Sequence, residues 1–194
     1  MDADFDAAVL GLDLPAGVEA ALREAGEHRA DAPRAMAALM RAKALAPDHP
    51  AVLIAFYRHH FYGHRLSAAR DVARRALLVA ADAMGLPRLW REVPHAPLPG
   101  ARHDARTRFY LFVLKGYAYL SLRLRDGGEA RDALALLRAL DPQDCVGGAL
   151  LEGVRRRALA PPDDDDADAD DAGRAAQAMA VGLGGWAGLS AGPV

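Results

Sequence analysis

The chain has 194 residues, of which 24 are basic and 26 acidic, and its formal net charge of −2 does not favour binding to nucleic acid or to an anionic membrane. Seven aspartates lie within residues 163–171, and without them the rest of the chain would carry +5. The single cysteine, Cys145, excludes an internal disulfide and a zinc site built on paired cysteines. With the acidic start MDADFDAAV, this predicts a cytoplasmic protein without an N-terminal export signal.

Helix-forming Ala, Leu and Arg dominate the sequence, and apolar residues recur at three- and four-residue spacing, which predicts an all-α protein. Proline, glycine and aspartate clusters separate the helical stretches. The predicted helices are residues 16–29, 32–46, 50–63, 66–84, 104–124, 128–140 and 143–158. They predict one folded domain, residues 1–160, followed by an acidic and Gly/Ala-rich flexible tail, residues 161–194.

Small residues recur at a fixed interval on alternate helices. Ala35 and Ala69 are 34 residues apart, and so are Ala42 and Ala76. A third stretch aligns on Ala130, at the same interval plus 27 residues. The extra residues form a Pro-rich segment, residues 82–108, which we call the insertion. Because it falls between complete repeats, we expect its deletion to leave a folded protein, with Trp90 as a candidate partner contact.

A 34-residue helix-turn-helix period with small residues on the second helix and AP or DP at its end resembles the tetratricopeptide repeat. The resemblance covers about residues 16–142 outside the insertion. It implies a helical solenoid of about three helix pairs, in which helix 143–158 would cap the open apolar face of the last pair. That cap would turn five side chains inward and three arginines towards solvent: Cys145, Val146, Leu150, Leu151 and Val154 inward, and Arg155, Arg156 and Arg157 outward.

The resemblance also implies that the first helix of each pair lines a concave groove for a partner. It places six of our candidate binding residues there, and the insertion contributes the seventh. The candidates are Arg58, Phe61, Tyr62, Lys115, Tyr119, Arg123 and Trp90. The basic groups on one wall, with aromatic rings between them, suit a peptide or helix with carboxylates and apolar side chains. The alternative is that the aromatic residues are core and the basic groups are merely solvated.

The stretch AFYRHHFYGHRL, residues 55–66, contains three histidines and permits a second interpretation. His60 and His64 are four apart, but Gly63 interrupts the helix between them, and the stretch contains no acidic residue. We therefore predict no metal site and a structural role for His59 and His60 between helices. The alternative is that the histidines act as transient metal ligands.

Catalytic motifs are absent from the sequence: it contains no GxxxxGK[ST], GxGxxG or HExxH, and neither Ser67 nor Ser121 has a Gly-rich elbow. We predict a non-enzymatic, cofactor-free protein that holds a partner protein as an adaptor or assembly chaperone. The alternative is an accessory protein in metalloenzyme maturation. The last 20 residues are uncharged, but five glycines and one proline argue against a membrane anchor.

Overall fold

The computed structural model describes residues 14–159, and these form an all-α fold without strands. The described part of the chain contains seven α-helices and one short 3₁₀-helix, Trp90–Glu92. The helices are α1 Ala16–Glu27, α2 Ala32–Leu45, α3 Pro50–Tyr62, α4 Leu66–Met84, α5 Ala105–Arg123, α6 Gly127–Leu140 and α7 Ala149–Leu159. The predicted all-α class is confirmed. The predicted tail lies outside the described residues.

The helix ends follow from residues that satisfy free backbone groups. The carboxylates of Asp31, Asp104 and Asp126 accept hydrogen bonds from backbone N–H groups in the first turns of α2, α5 and α6, at 3.2, 2.7 and 3.3 Å. Helix α4 ends at Gly85, whose φ of 66° is a left-handed conformation that suits glycine. Asp126 and Gly85 belong to the aspartate and glycine clusters that set the predicted boundaries.

The helices pack as consecutive pairs, α1 with α2, α3 with α4, and α5 with α6, and α4 also packs along α5. A small apolar core joins α1, α2 and one face of α3 around Val18, Leu39 and Phe56. A larger core joins α3 to α7. Val72 on α4 packs against both cores, so the two are continuous. This arrangement is consistent with a solenoid-like stack of helix pairs.

The insertion is part of the larger core, contrary to our expectation that it would be peripheral. Its first residues complete α4 and its last residues begin α5. Between them, Trp90 and Val93 are 8% and 2% exposed and belong to the core cluster. The backbone N–H of Leu98 donates to the carbonyl of Leu140 at 2.9 Å. Deletion of the insertion would therefore remove buried apolar side chains along with a loop.

The predicted closing helix begins later than expected, because two aspartates organise residues 141–148 into turns. Asp141 accepts a hydrogen bond from the Val146 N–H at 3.0 Å. Asp144 accepts from the N–H groups of residues 148 and 149, at 2.5 and 3.1 Å. The helix starts only at Ala149.

Three side chains of the closing segment differ from our expectation. Cys145 and Leu150, predicted to point inward, are exposed. The Arg155 side chain, predicted to face solvent, is only 17% exposed because it pairs with Glu152. Val146 and Leu151, by contrast, are buried as predicted.

Among the helices between residues 14 and 159, none combines the length and apolar character needed to cross a membrane.

Candidate partner-binding surface

The C-terminal turns of α3 and α5 meet at one pair of aromatic rings. The rings of Phe61 on α3 and Tyr119 on α5 are 5.9 Å apart between centroids, and both side chains are buried. Tyr57, one turn before Phe61, stacks on the Phe61 ring at 5.9 Å with an interplanar angle of 7°. Three aromatic rings therefore fix the two helix ends to each other.

Exposed groups cover this aromatic layer. Tyr62 is 52% exposed and packs edge-on against Phe61 at 5.4 Å. The Arg58 guanidinium lies 6.0 Å from the centre of the Tyr62 ring. On α5, Arg123 donates a hydrogen bond to the Tyr119 hydroxyl at 2.9 Å. We call these five residues, Arg58, Phe61, Tyr62, Tyr119 and Arg123, the basic-aromatic surface.

The positive charge of this surface is not neutralised by neighbouring carboxylates. Eleven arginines in the described part of the chain form ion pairs with Asp or Glu, and Arg58 and Arg123 are among the arginines that have no such partner within residues 14–159. Their contacts are with tyrosines. A guanidinium held over an aromatic ring keeps several N–H donors free for an incoming carboxylate. The surface can therefore accept an anionic group beside an exposed aromatic ring.

The structure divides the predicted groove residues between two roles. Phe61 and Tyr119 are core, as the alternative interpretation held, whereas Tyr62 and Arg123 are exposed and Arg58 is half-buried. The Tyr57 hydroxyl below them is buried without a hydrogen-bond partner in the described chain, and burial raises the pKa of this phenol. The aromatic base is therefore rigid and apolar, and only its rim is available to a partner.

Lys115 does not belong to the surface, which corrects the sequence prediction. Its side chain is 5% exposed, and its ammonium group donates to the Val146 carbonyl at 2.7 Å. Burial lowers the pKa of Lys115, while the charge of Asp144 acts in the opposite direction. The turns of residues 141–148 cover this position on α5, so Lys115 fastens the closing segment instead of lining a groove.

Trp90 is also buried, which corrects its assignment as an exposed contact. Its ring lies 5.8 Å from the Tyr117 ring, and the Arg91 guanidinium lies 4.5 Å above it. Both Arg91 and the Tyr117 hydroxyl donate to the Glu129 carboxylate, and Arg74 lies over the Tyr117 ring at 5.7 Å. We call these residues, Arg74, Trp90, Arg91, Tyr117 and Glu129, the Trp90 cluster. It joins the insertion to α4, α5 and α6.

Arg65, which follows the turn after α3, was not among the residues predicted to matter at this surface. Arg65 Nε donates to His60 Nδ1 at 3.1 Å, and Nη2 donates to the His59 carbonyl at 3.3 Å. An arginine that bonds a carbonyl at the end of a helix is a common C-terminal arrangement. The signal available in the sequence was the basic residue two positions after Gly63, which also places a further cation beside the basic-aromatic surface.

The histidines act at helix ends. His49 Nδ1 accepts the Ala51 N–H at 3.2 Å and so caps α3. His60 Nδ1 is engaged by Arg65, whereas His59 Nε2 is buried without a hydrogen-bond partner in the described chain. Within residues 14–159, no group of three or more His, Cys, Asp or Glu residues is arranged to hold a metal ion.

Comparison with known proteins gives one relative. This sequence is 38% identical over 154 residues to a protein of Azotobacter chroococcum mcd 1 described as "Uncharacterized 19.8 kDa protein in nifW 5'region". The match covers 78% of this chain and 86% of the relative. No protein-family model matches the sequence. No solved structure matches it either.

Proposed function

We propose that this chain, which belongs to one family with the nifW-region protein of Azotobacter chroococcum, binds a partner protein through its basic-aromatic surface. In this proposal it is a cytoplasmic adaptor or assembly chaperone without catalytic activity. The observation that carries the proposal is that Arg58 lies over the exposed ring of Tyr62, Arg123 bonds the Tyr119 hydroxyl, and neither arginine has a carboxylate partner within residues 14–159.

The chemistry of the surface defines the partner segment that it fits. Two guanidinium groups on neighbouring helices favour a segment with at least one carboxylate, and the Tyr62 ring favours an apolar or aromatic side chain beside it. Arginine and tyrosine are among the residues that contribute most to protein interfaces. The partner is therefore an acidic-apolar peptide or helix, as predicted from the sequence.

The repeat interpretation supports the position of the surface. In a tetratricopeptide-like stack, α3 and α5 are the first helices of the second and third pairs, and first helices line the concave side. The ring contact between Phe61 of α3 and Tyr119 of α5 supports this interpretation. Membership of the tetratricopeptide repeat family remains part of the proposal.

Site-specific photo-crosslinking in the cells that produce the protein tests the proposal. Tyr62 and Met40 are replaced, one at a time, by a photoreactive phenylalanine analogue. The two positions are matched because each is 52% exposed, but Met40 lies on α2, outside the surface. We expect a discrete cross-linked partner from position 62 and none from position 40. Equal labelling from both positions, or none from position 62, would contradict the proposal.

The location of the relative's gene suggests the first partner to test directly. Because that gene lies in the 5′ region of nifW, we would titrate purified NifW from the same genome as this protein into the intact chain. Binding that Arg123→Glu weakens would identify NifW as a partner at this surface. Binding that is insensitive to this substitution would place the contact elsewhere.

The alternative, in which histidines act as transient metal ligands in metalloenzyme maturation, is favoured by one observation. His59 Nε2 is buried without a partner in the described chain and lies on the same helix end as His60. A titration with Zn²⁺ or Ni²⁺ followed through the imidazole resonances tests it. Shifts confined to His59 and His60 that disappear in His59→Gln would support the alternative, and unchanged resonances would exclude it.

A further inference from the structure

The acidic segment, residues 163–171, begins four residues after the end of α7. It contains seven aspartates with two alanines between them. The remainder of the chain carries the opposite net charge, so the segment is attracted to the folded domain over distances comparable to the Debye length, about 10 Å at moderate salt. Docking of the segment requires basic groups of the domain that are open to it.

Two of the arginines nearest in sequence, Arg155 and Arg156, are already paired. Glu152 accepts hydrogen bonds from Arg155 at 2.8 Å and from Arg156 at 3.0 Å. These bonds, with that of Arg155 the largest cause, lower the pKa of Glu152 to about 2. The carboxylate therefore stays charged at neutral pH and neutralises part of α7. The basic-aromatic surface has no comparable carboxylate within residues 14–159.

The acidic segment is long enough to reach that surface. The turn before α7 is fastened to α5 through the Lys115–Val146 hydrogen bond. Arg123 lies two turns further along α5, about 12 Å at 1.5 Å per residue, and the 11 residues of α7 span about 16 Å. Residues 160–171 can extend over about 40 Å. They therefore bridge from Leu159 to Arg123 in whichever direction α7 points.

We propose that the acidic segment docks in cis on the basic-aromatic surface, its aspartates pairing with Arg58 and Arg123. The occupant is chosen by charge: the surface offers arginines without carboxylate partners in the described domain, and the same chain supplies seven carboxylates within reach. Tethering raises the effective concentration of the segment at the surface to the millimolar range, so weak individual pairs suffice.

Docking in cis has a regulatory consequence, which rests on the proposed function. A partner that uses the same surface must displace the segment, so its apparent affinity equals its intrinsic affinity multiplied by the fraction of time that the surface is free. If the segment covers the surface for about nine-tenths of the time, replacing all seven aspartates by asparagine tightens partner binding about tenfold. The docking itself is testable on the chain alone, without any partner.

Paramagnetic relaxation in the full-length chain tests the docking. The exposed Cys145 is replaced in Cys145→Ser, a new cysteine is introduced in Ala167→Cys, and a nitroxide is attached there. We expect broadening of the resonances of Arg58, Tyr62 and Arg123, and none at Met40. The broadening should disappear at about 1 M salt, where the Debye length is about 3 Å, and in the chain with the seven Asp→Asn changes.

The experiment also separates the other possible arrangements. Broadening confined to α7, or equal over the whole domain, would overturn the docking, and so would broadening that persists in Arg58→Gln/Arg123→Gln. A mixture of nitroxide-labelled chain and unlabelled, isotope-enriched chain tests a second copy as occupant, and broadening in the mixture would overturn docking in cis. If the docking is observed but no partner is cross-linked at position 62, the docking is supported and the proposed function is refuted.

Discussion

The basic-aromatic surface and the Trp90 cluster are built from the same kinds of side chain and differ in one group. In each, arginines lie over aromatic rings that join α5 to its neighbours. The Trp90 cluster contains Glu129, whose side chain is 15% exposed. Its carboxylate accepts hydrogen bonds from Arg91 and from the Tyr117 hydroxyl. The basic-aromatic surface contains no carboxylate and leaves Tyr62 exposed.

That difference separates a structural cluster from a candidate binding surface. An arginine with a carboxylate partner has its charge satisfied within the fold, and its aromatic neighbours can be buried. An arginine over a ring without a carboxylate retains free donors and charge. Since both clusters contain arginine and tyrosine, their residue types do not distinguish them. The distinguishing feature is the Glu129 carboxylate, which the Trp90 cluster contains and the basic-aromatic surface lacks.

The largest effect is expected from Trp90→Ala. Because Trp90 is 8% exposed and packs on Tyr117, its removal leaves a cavity that we expect to lower the free energy of unfolding by about 3–5 kcal/mol. Thermal and urea denaturation measure the loss, with Trp90→Phe as a control that retains an aromatic ring and should lose less. An unchanged melting temperature in Trp90→Ala would show that the insertion is peripheral after all.

The next largest effect is expected at Lys115. Lys115→Glu places a carboxylate against the Val146 carbonyl and near Asp144, and we expect a loss of about 3 kcal/mol in stability. Lys115→Met retains the aliphatic stem and removes only the hydrogen bond, which should cost about 1–2 kcal/mol. If the two variants unfold at the same denaturant concentration as the native protein, Lys115 is exposed, as the sequence first suggested.

Substitution of Glu129 tests whether one carboxylate makes the difference between the clusters. Glu129→Gln keeps the size of the side chain but removes the negative charge that pairs with Arg91. We expect the free energy of unfolding to fall by about 1–2 kcal/mol. Asp48→Asn is the control, because Asp48 pairs with Arg75 outside the Trp90 cluster and both side chains are about half exposed. Equal stabilities of the two variants in chemical denaturation would argue that Glu129 does not hold the cluster together.

The smallest effect is expected from acidification. Burial, with a further contribution from Arg65, lowers the pKa values of His59 and His60 below the ordinary value of 6.5. The unfolded chain then takes up protons first as the pH falls below about 6.5, so this part of the stability is present above that pH and is lost below it. We expect the melting temperature to fall slightly from pH 7.5 to 5.5, and less so in His59→Gln/His60→Gln. An identical fall in that variant would assign the dependence to other groups.

The fold was largely predictable because its signals are local. Asp104, Asp126 and Gly85 mark helix ends by chemistry that acts within one turn, and the observed boundaries of α2 to α6 fall within two residues of the predicted ones. The start of α7 was missed by six residues, because Asp141 and Asp144 bond backbone groups in turns that the apolar pattern does not reveal.

The surface was predictable only in part, because burial depends on distant segments. Arg58, Tyr62 and Arg123 lie at exposed or half-buried positions, as lining a groove would require, and their role in binding stays a prediction. Lys115 has the same helical register as a groove residue, but residues 141–148 fold over it. Trp90 lies in a Pro-rich segment typical of loops, and only the tertiary positions of Tyr117 and Glu129 make it core.

The same substitution in both clusters separates a partner-binding role of the basic-aromatic surface from a structural role of the Trp90 cluster. Arg123→Glu and Arg91→Glu each reverse one charge beside an aromatic ring, and we would measure the affinity of each variant for the partner cross-linked at position 62. We expect Arg123→Glu to weaken binding at least about tenfold with stability unchanged, and Arg91→Glu to lose about 1 kcal/mol of stability with affinity unchanged. Equal affinities of the two variants would contradict this assignment of roles.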